Sequence, residues 1–387
     1  MYRFALAPIN DMRISDLRIA LLNYICAKQA GEPFIVRIED GDKKRNIEGK
    51  DQEILEMLEL FGITYSHLYY QSDNFKYHLQ FASTLLDRKK AFICFCPKDT
   101  VPYEGKCEHL SSEEVLNNPN PFVIRMKKEN NDSDSFVIMR TDKYPTPIFA
   151  SACDDMLQGV STIICEESHL NDAPKEEWIR KSIGYEQPIH YVYVPTFQCQ
   201  KNERSVQTLL DEGFMPEAII NYLLVPSQIL TFEEIMSTFD LQTLNTSASF
   251  EIEKLRLINR EHIQKLGDME LSKRLGYACE NIGKLAKIYT EEAHTTYEIK
   301  QKIDALFAKK EPFSEFEAES KILQGLILKA PYFEAFDDFK AYLSEKSRLE
   351  GDPFFKPLRF WLSGADHGPE LDLVYPLIKN YLKEIVR

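Results

Sequence analysis

A chain of 387 residues is long enough for two or three domains with separate cores, and its 44% hydrophobic and 28% charged residues exclude a disordered polymer. No apolar run approaches the roughly 20 residues of a membrane-spanning helix, and the opening MYRFALAPIND lacks the basic-then-apolar layout of a secretory leader; a cytoplasmic protein with no membrane partner is expected. The formal charge of −14 argues against a nonspecific grip on nucleic acid, DNA included, because phosphate contacts rest on Lys and Arg, although a local basic face remains compatible with it.

Residues 2–7 read as a short strand, followed by a turn at Pro8, Asn10 and Asp11. Ser15 is placed to N-cap a helix carrying Leu17, Leu21, Ile25 and Ala27, which Gly31 ends. PFIVRIED is a β-rich apolar run of the kind buried in a parallel sheet. Residues 50–61 return to helical spacing, with Ile54, Leu55, Leu58 and Phe61 on one face and Gly62 as the stop. Strands alternating with helices predict a parallel α/β sheet of the nucleotide-binding type. From about 90 to 180 the pattern breaks into short strands and loops, with the polar stretch at 129–135 read as an exposed hairpin loop. A helix is expected around 176–185 and a strand at 190–195. Beyond about 208 the pattern is helical almost throughout, with long amphipathic segments at 252–290 and 297–348 and a tail helix over 369–387.

Five stretches then fall into a familiar order. RFALAPINDMRISDLRIALLNYICAKQAGEPFIVRIEDGDKKRN resembles the start of bacterial glutamyl-tRNA synthetases. DKYPTPIFASACDDMLQGVSTIICEESHLNDAPKE resembles the segment where that family's acceptor-stem-binding insertion rejoins the catalytic fold. DEGFMPEAIINYLL and FEIEKLRLINREHI resemble the stem-contact region, and PLRFWLSGADHGPELDLVYPLIKNYL the end of the anticodon-binding helices. The resemblance implies an α/β, Rossmann-like class I synthetase fold with an inserted subdomain, followed by an all-α anticodon-binding-like domain. The implied division is 1–88 and 171–207 for the two halves of the catalytic domain and 89–170 for the insertion. Residues 208–280 then form the stem-contact region and 281–387 the helical domain.

The same resemblance locates what is missing. The family holds ATP with a His-x-Gly motif after a Pro-Thr-Gly turn and with a mobile Lys-x-Ser-Lys loop. Here the Thr is Ile9, the turn Gly is Asn10, the His is Arg13 and the second Gly is Ser15. Arg13 can meet a phosphate, but a side chain at Ser15 intrudes where only backbone leaves room for adenosine. Asp16 adds a carboxylate near the expected triphosphate. In place of the lysine loop stands TFQCQKNER, about eight residues too short, with Lys201 and Arg204 as its cations. In the implied amino-acid site Arg3, Glu39 and Arg45 match the family, whereas its substrate-binding Tyr is Pro147 and its carboxylate-binding Arg is Cys165. Arg3, Glu39 and Arg45 read equally well as ion-paired scaffolding. ATP is therefore not an expected cofactor.

Cys94-Phe95-Cys96, followed by Tyr103 and Cys107, resembles the zinc element that some family members carry in the insertion. Three thiolates with one oxygen or nitrogen donor suit tetrahedral zinc, and His109 is an alternative to Tyr103 as the fourth ligand. Three reduced cysteines in a small core are the alternative reading. The expectation is a pseudo-synthetase, monomeric by itself, that binds tRNA or a protein partner. Two alternatives stand beside it: an active glutamate–tRNA ligase with unusual ATP-site residues, and an interaction protein that has abandoned RNA.

Overall fold

The structure, a computed structural model, describes residues 1–96, 103, 105–128, 134–198, 204–244 and 248–387. In chain order it begins β1 (Tyr2–Leu6), α1 (Ile14–Ala30), β2 (Phe34–Ile38), α2 (Lys50–Leu60), β3 (His67–Tyr70) and α3 (Phe75–Asp87). There follow β4 (Ala91–Cys94), α4 (Ser112–Leu116), β5 (Val123–Met126), β6 (Phe136–Met139), α5 (Pro147–Gln158), β7 (Thr162–Glu166), α6 (Ala173–Ile183) and β8 (His190–Val194). The remainder comprises β9 (Phe197–Gln198), α7 (Val206–Asp211), α8 (Pro216–Leu224), α9 (Phe232–Thr238) and β10 (Ala248–Ser249), then α10 (Ile252–Lys265), α11 (Asp268–Arg274), α12 (Glu280–Tyr289) and α13 (Thr296–Phe307). The chain closes with α14 (Glu317–Lys329), α15 (Phe336–Ser347), α16 (Asp352–Ser363), α17 (Leu371–Ile378) and α18 (Leu382–Ile385). Two compact units result, residues 1–206 with 233–250 and residues 207–232 with 251–387. Among the described residues no helix is long and apolar enough to cross a membrane.

The first unit is built on a five-stranded parallel sheet in the order β3-β2-β1-β7-β8. All five residues of β2 are buried, as an apolar run in a sheet covered on both faces requires. A separate antiparallel sheet, β4-β5-β6, is inserted between α3 and α5. One of its faces packs Met126 and Ile138 on Leu85, Phe149 and Ile179, while Phe92, Cys94, Tyr103, Cys107 and Val123 form a smaller cluster. The polar stretch expected as a hairpin loop does fall between β5 and β6, but its residues 129–133 lie outside the described residues.

Helix α1 starts earlier than its sequence indicates. Arg13, not Ser15, is the N-cap, and its backbone N–H donates to the Asp16 carboxylate at 3.0 Å. Its other end is as expected: Gly31 adopts φ 65° and the Glu32 N–H returns to the Ala27 carbonyl at 2.9 Å, the left-handed exit that glycine permits.

The second unit is helical, with Leu255, Leu285, Ile303, Leu323, Phe339, Trp361 and Tyr375 buried in it. The long segments expected at 252–290 and 297–348 are each divided. The first breaks after Lys265 and again around Gly276, which takes φ 87°. The second breaks before α14 and before α15, near Pro312 and Pro331, where a helix would lose a hydrogen bond and clash with the ring. The expected tail helix is α17, a 3₁₀ turn at Lys379–Tyr381 and α18.

Candidate functional site

The immediate neighbours of β1 are β2 on one side and β7 on the other, so the chain's winding reverses between β1 and β7. In open α/β sheets ligands lodge at such a reversal, outside the carboxyl ends of the strands. A cavity of about 570 Å³ occupies this place, lined by Phe4 and Ala5 of β1, Ser15, Asp16 and Ile19 of α1, Cys165 and Glu166 of β7, and Pro147, Ser151, Glu176 and Tyr191.

The cavity rests on a buried ionic network. Asp155, on α5, has no exposed side-chain surface and receives the Arg3 Nε at 2.8 Å and the Arg37 Nη1 at 2.7 Å. Arg37 also donates to Ser151 Oγ, Gln158 Oε1 and Glu39 Oε1 at 3.0, 3.0 and 3.3 Å. Burial alone would raise the Asp155 pKa, but Arg3 and Arg37 hold it down to about 2. Burial likewise works to discharge Arg3, and Asp155 overrides it, raising the guanidinium pKa. The adjacent Asp154 is equally buried and accepts from Gln71, Asn74 and His78 at 3.0, 2.9 and 2.8 Å. Both carboxylates of the pair are thus spent on holding the scaffold together.

The cavity's own charge is unbalanced. Five carboxylates line it, from Asp16, Glu39, Glu166, Asp172 and Glu176, against two full cations, Arg3 and Lys175, and Arg3 is committed to Asp155 behind it. Glu176 is almost fully buried, accepts from the Tyr191 hydroxyl at 2.5 Å, and has its pKa raised by burial and then by the charge of Asp155. Cys165 lines the same wall, and burial pushes its thiol up to about 11. It is therefore neutral near pH 7 and offers no charge to a carboxylate.

The residues singled out from sequence are distributed unevenly. Arg3, Ser15, Glu39, Pro147 and Cys165 all line the cavity. Pro147 stands at the first position of α5, where its ring is tolerated, and it offers no hydroxyl to a ligand. Arg13 and Asn10 are exposed, Ile9 is half-buried, and none of the three lines the cavity. Arg45 is exposed in the turn after β2 and is likewise absent from the lining. Lys201 lies outside the described residues. Just before α7 the chain is laced to the first motif: Ser205 bridges Arg13, and the Val206 N–H donates to the Met12 carbonyl at 2.9 Å.

Sequence reasoning passed over Arg37, Asp155 as the anchor of Arg3, and Glu176 with Tyr191. A signal existed for two of them. An Arg within the apolar strand FIVRI and an Asp pair within PIFASACDDMLQ sit where an unpaired charge would be untenable, so each had to find a partner of opposite charge.

The cysteine trio is brought together. The Sγ atoms of Cys94, Cys96 and Cys107 all lie within 4.8 Å of one another, and Cys96 and Cys107 approach to 3.6 Å. A disulfide needs about 2.05 Å, whereas thiolates around a tetrahedral ion with 2.3 Å bonds stand about 3.8 Å apart. The Tyr103 hydroxyl joins the trio, accepting from the Cys107 N–H at 2.7 Å. His109 contributes no ligand atom to the group. Three sulfurs with one phenolic oxygen fit a zinc ion as a donor set.

Comparison with known proteins matches the geometry. Residues 1–114 and 103–265 match the family described as tRNA synthetases class I (E and Q), catalytic domain. The chain is 43% identical to glutamate–tRNA ligase 2 of Sulfurimonas denitrificans and 44% identical to glutamate–tRNA ligase 1 of Campylobacter jejuni, over the full length of each partner. These alignments run over 432 positions against the 387 residues here, so about 45 of those positions have no counterpart in this chain. A crystal structure of a glutamate tRNA ligase from Elizabethkingia meningosepticum superposes with a TM-score of 0.79 at 21% identity, covering 100% of this chain and 98% of that one; at that identity it speaks to the fold. Sequence relatives and architecture agree, and this chain belongs to the glutamyl-tRNA synthetase family.

Proposed function

We propose that this chain is a pseudo-synthetase, a glutamyl-tRNA synthetase-like protein that forms no aminoacyl-adenylate and acts by binding tRNA. The observation that carries the reading is the state of the α1 N-terminus. Such a terminus is a ready anion site because its N–H groups and dipole face outward. Here the Asp16 carboxylate has entered the first turn, accepts from Arg13 N–H and lines the cavity. A triphosphate entering from this side meets a like charge, with Glu166 and Asp172 also facing the cavity. The short sequence in place of the family's lysine loop supports the same reading, because stabilising charge on a transferring phosphate depends on preorganised cations. Glutamate is no better served, since Cys165 supplies no guanidinium for bidentate carboxylate binding.

The family's relatives act on tRNA by name, and that partner is carried here as part of the proposal. One feature favours a second reading, an RNA-independent protein partner. Between Arg204 and Lys254 there is no Lys, Arg or His, against eight carboxylates, and this stretch overlaps the expected stem-contact region. An RNA backbone finds no cation there.

The cysteine cage is read as a structural zinc site with Cys94, Cys96, Cys107 and Tyr103 as ligands. Zinc would tie the connection between β4 and β5 to its own sheet and contribute folding free energy directly.

Calorimetric titration of the full chain with ATP, alone and with glutamate, is expected to give no binding heat. ATP binding that strengthens with glutamate would restore the ligase reading. Titration with total tRNA is expected to show binding that weakens steeply with salt. No tRNA binding at low salt, together with a co-purifying protein, would transfer the function to the second reading.

A further inference from the structure

We propose that Arg125 is the counter-charge of the cysteine cage, a positioning residue that the bound metal site requires for tight binding. The inference rests on the zinc reading of Cys94, Cys96, Cys107 and Tyr103 and extends it to a residue outside the ligand set.

Arg125 lies in the middle of β5, and only 2% of it is exposed. Its guanidinium is almost without partners. Nη1 reaches the Ser135 carbonyl at 3.5 Å, at the limit of a hydrogen bond, while Nε and Nη2 are buried with none. Among the described residues no carboxylate pairs with it, in contrast to Arg3 and Arg37, which share Asp155. A buried cation with no anion is strongly unfavourable, so the fold is expected to supply negative charge from elsewhere.

The register shows where. In the β4–β5 pair Phe92 stands opposite Arg125 and Cys94 opposite Val123. Alternate positions along a strand share a face, so Phe92, Cys94, Val123 and Arg125 project to the same side, with Cys94 and Arg125 as diagonal neighbours, about 7–8 Å apart at the backbone. The Tyr103 ring lies between them. It packs on Phe92 at 5.7 Å between centroids, and the Arg125 guanidinium carbon stands 4.6 Å from its centre. Its hydroxyl accepts from the Cys107 backbone at the other end. The guanidinium therefore faces the ring whose oxygen belongs to the cage, within cation–π range.

Charge balance completes the case. Three thiolates around a divalent ion leave one net negative charge, and a phenolate as fourth ligand would leave two. That anion sits in a half-buried pocket, with the Arg125 guanidinium against the ring of Tyr103 whose hydroxyl faces the cage. Groups just outside a metal's ligands commonly set about 10–100-fold in affinity. Without metal, Arg125 is an uncompensated buried charge; with metal, it is paired.

The test uses the full chain with Arg125→Met, which keeps the bulk and removes the charge, and Arg125→Lys, which keeps the charge. Zinc affinity is measured by competition with a chelator, and cobalt substitution reports the thiolate-to-metal absorption band. Arg125→Met is expected to bind zinc about 10–100-fold more weakly than the parent while its zinc-free form is at least as stable. Arg125→Lys should recover most of the affinity. Parent-like zinc affinity in Arg125→Met would overturn the proposal, as would a loss of stability equal with and without zinc, which marks a purely structural role. If Arg125→Met does not fold, Arg125→Gln replaces it under the same criteria. A parent protein that takes up neither zinc nor cobalt defeats the zinc reading and this proposal together; metal binding in the parent with unchanged variants defeats only the latter.

Discussion

Replacing Asp155 by Asn is expected to lower the stability of the first unit by about 3–5 kcal/mol, the usual loss when one member of a buried ionic group is removed. Asp155 is the shared anion of Arg3 and Arg37, and Arg37 has no exposed surface at all. The amide keeps the shape and one acceptor oxygen but removes the negative charge that Arg3 and Arg37 share, leaving Arg37 only the longer contact to Glu39 at 3.3 Å. Urea unfolding followed by a probe in the parallel sheet measures this directly, and a loss below about 1 kcal/mol, far short of the usual cost, would sink the account.

The same residue sets an acid response. Its pKa is held at about 2 in the folded state, against about 3.9 when unfolded. A depressed carboxyl contributes stability that is complete above the unfolded value and is lost as pH falls through the folded one. The window is therefore about pH 4 down to pH 2, with a contribution on the order of 2–3 kcal/mol. Glu176 works in the opposite sense, because its pKa is raised and its share is lost as pH climbs above the ordinary glutamate range. Comparing parent and Asp155→Asn across pH 4 to 2 isolates Asp155: the parent should lose stability more steeply than the variant.

The second large effect belongs to the helical unit. Gly283→Ala is expected to destabilise it by about 3 kcal/mol or more, beyond the usual range for an added methyl group. A Cβ at Gly283 would lie 1.7 Å from the Asp268 carbonyl oxygen and 2.5 Å from its carbon. Both obstacles are backbone, so no rotamer relieves them, and α11 and α12 must separate. The glycine is there for space and not for a left-handed turn, since Gly283 is absent from the positive-φ glycines. Gly325 in α14 is the matched control, because a methyl group added there would meet nothing within 4 Å. Gly325→Ala should be neutral or stabilising by up to about 1 kcal/mol, because alanine is the better helix former. Thermal unfolding of both variants decides the matter; equal effects would show that the α11–α12 contact is not the constraint.

Sequence by itself determined whatever is local or periodic. The apolar run at 33–40 pointed to a covered parallel strand and Gly31 to a helix end, because both signals lie in a few adjacent residues. The resemblance of the Cys94, Cys96 and Cys107 segment to a zinc element raised a shared site, with three reduced core cysteines as the alternative, and the fold brings the three sulfurs together. The altered motif residues were legible one by one, because each is a change of chemistry at a known place in a pattern.

The tertiary structure decided everything that joins distant positions. Arg37 and Asp155 are 118 residues apart, and nothing local chooses which buried carboxylate a buried guanidinium will meet. Helical periodicity continued across the breaks after Lys265, around Gly276, before α14 and before α15, because apolar spacing reports a face and not the point where packing turns the chain. The N-cap moved from Ser15 to Arg13 because the Asp16 carboxylate reached back to an N–H that no short pattern had reserved for it. Tyr103 rather than His109 joined the cysteines because the fold of β4 and β5 carries its ring between Phe92 and Arg125. Short-range rules act through the backbone and are written in neighbouring residues; the balance of buried charge acts through space, and only the assembled fold sets it.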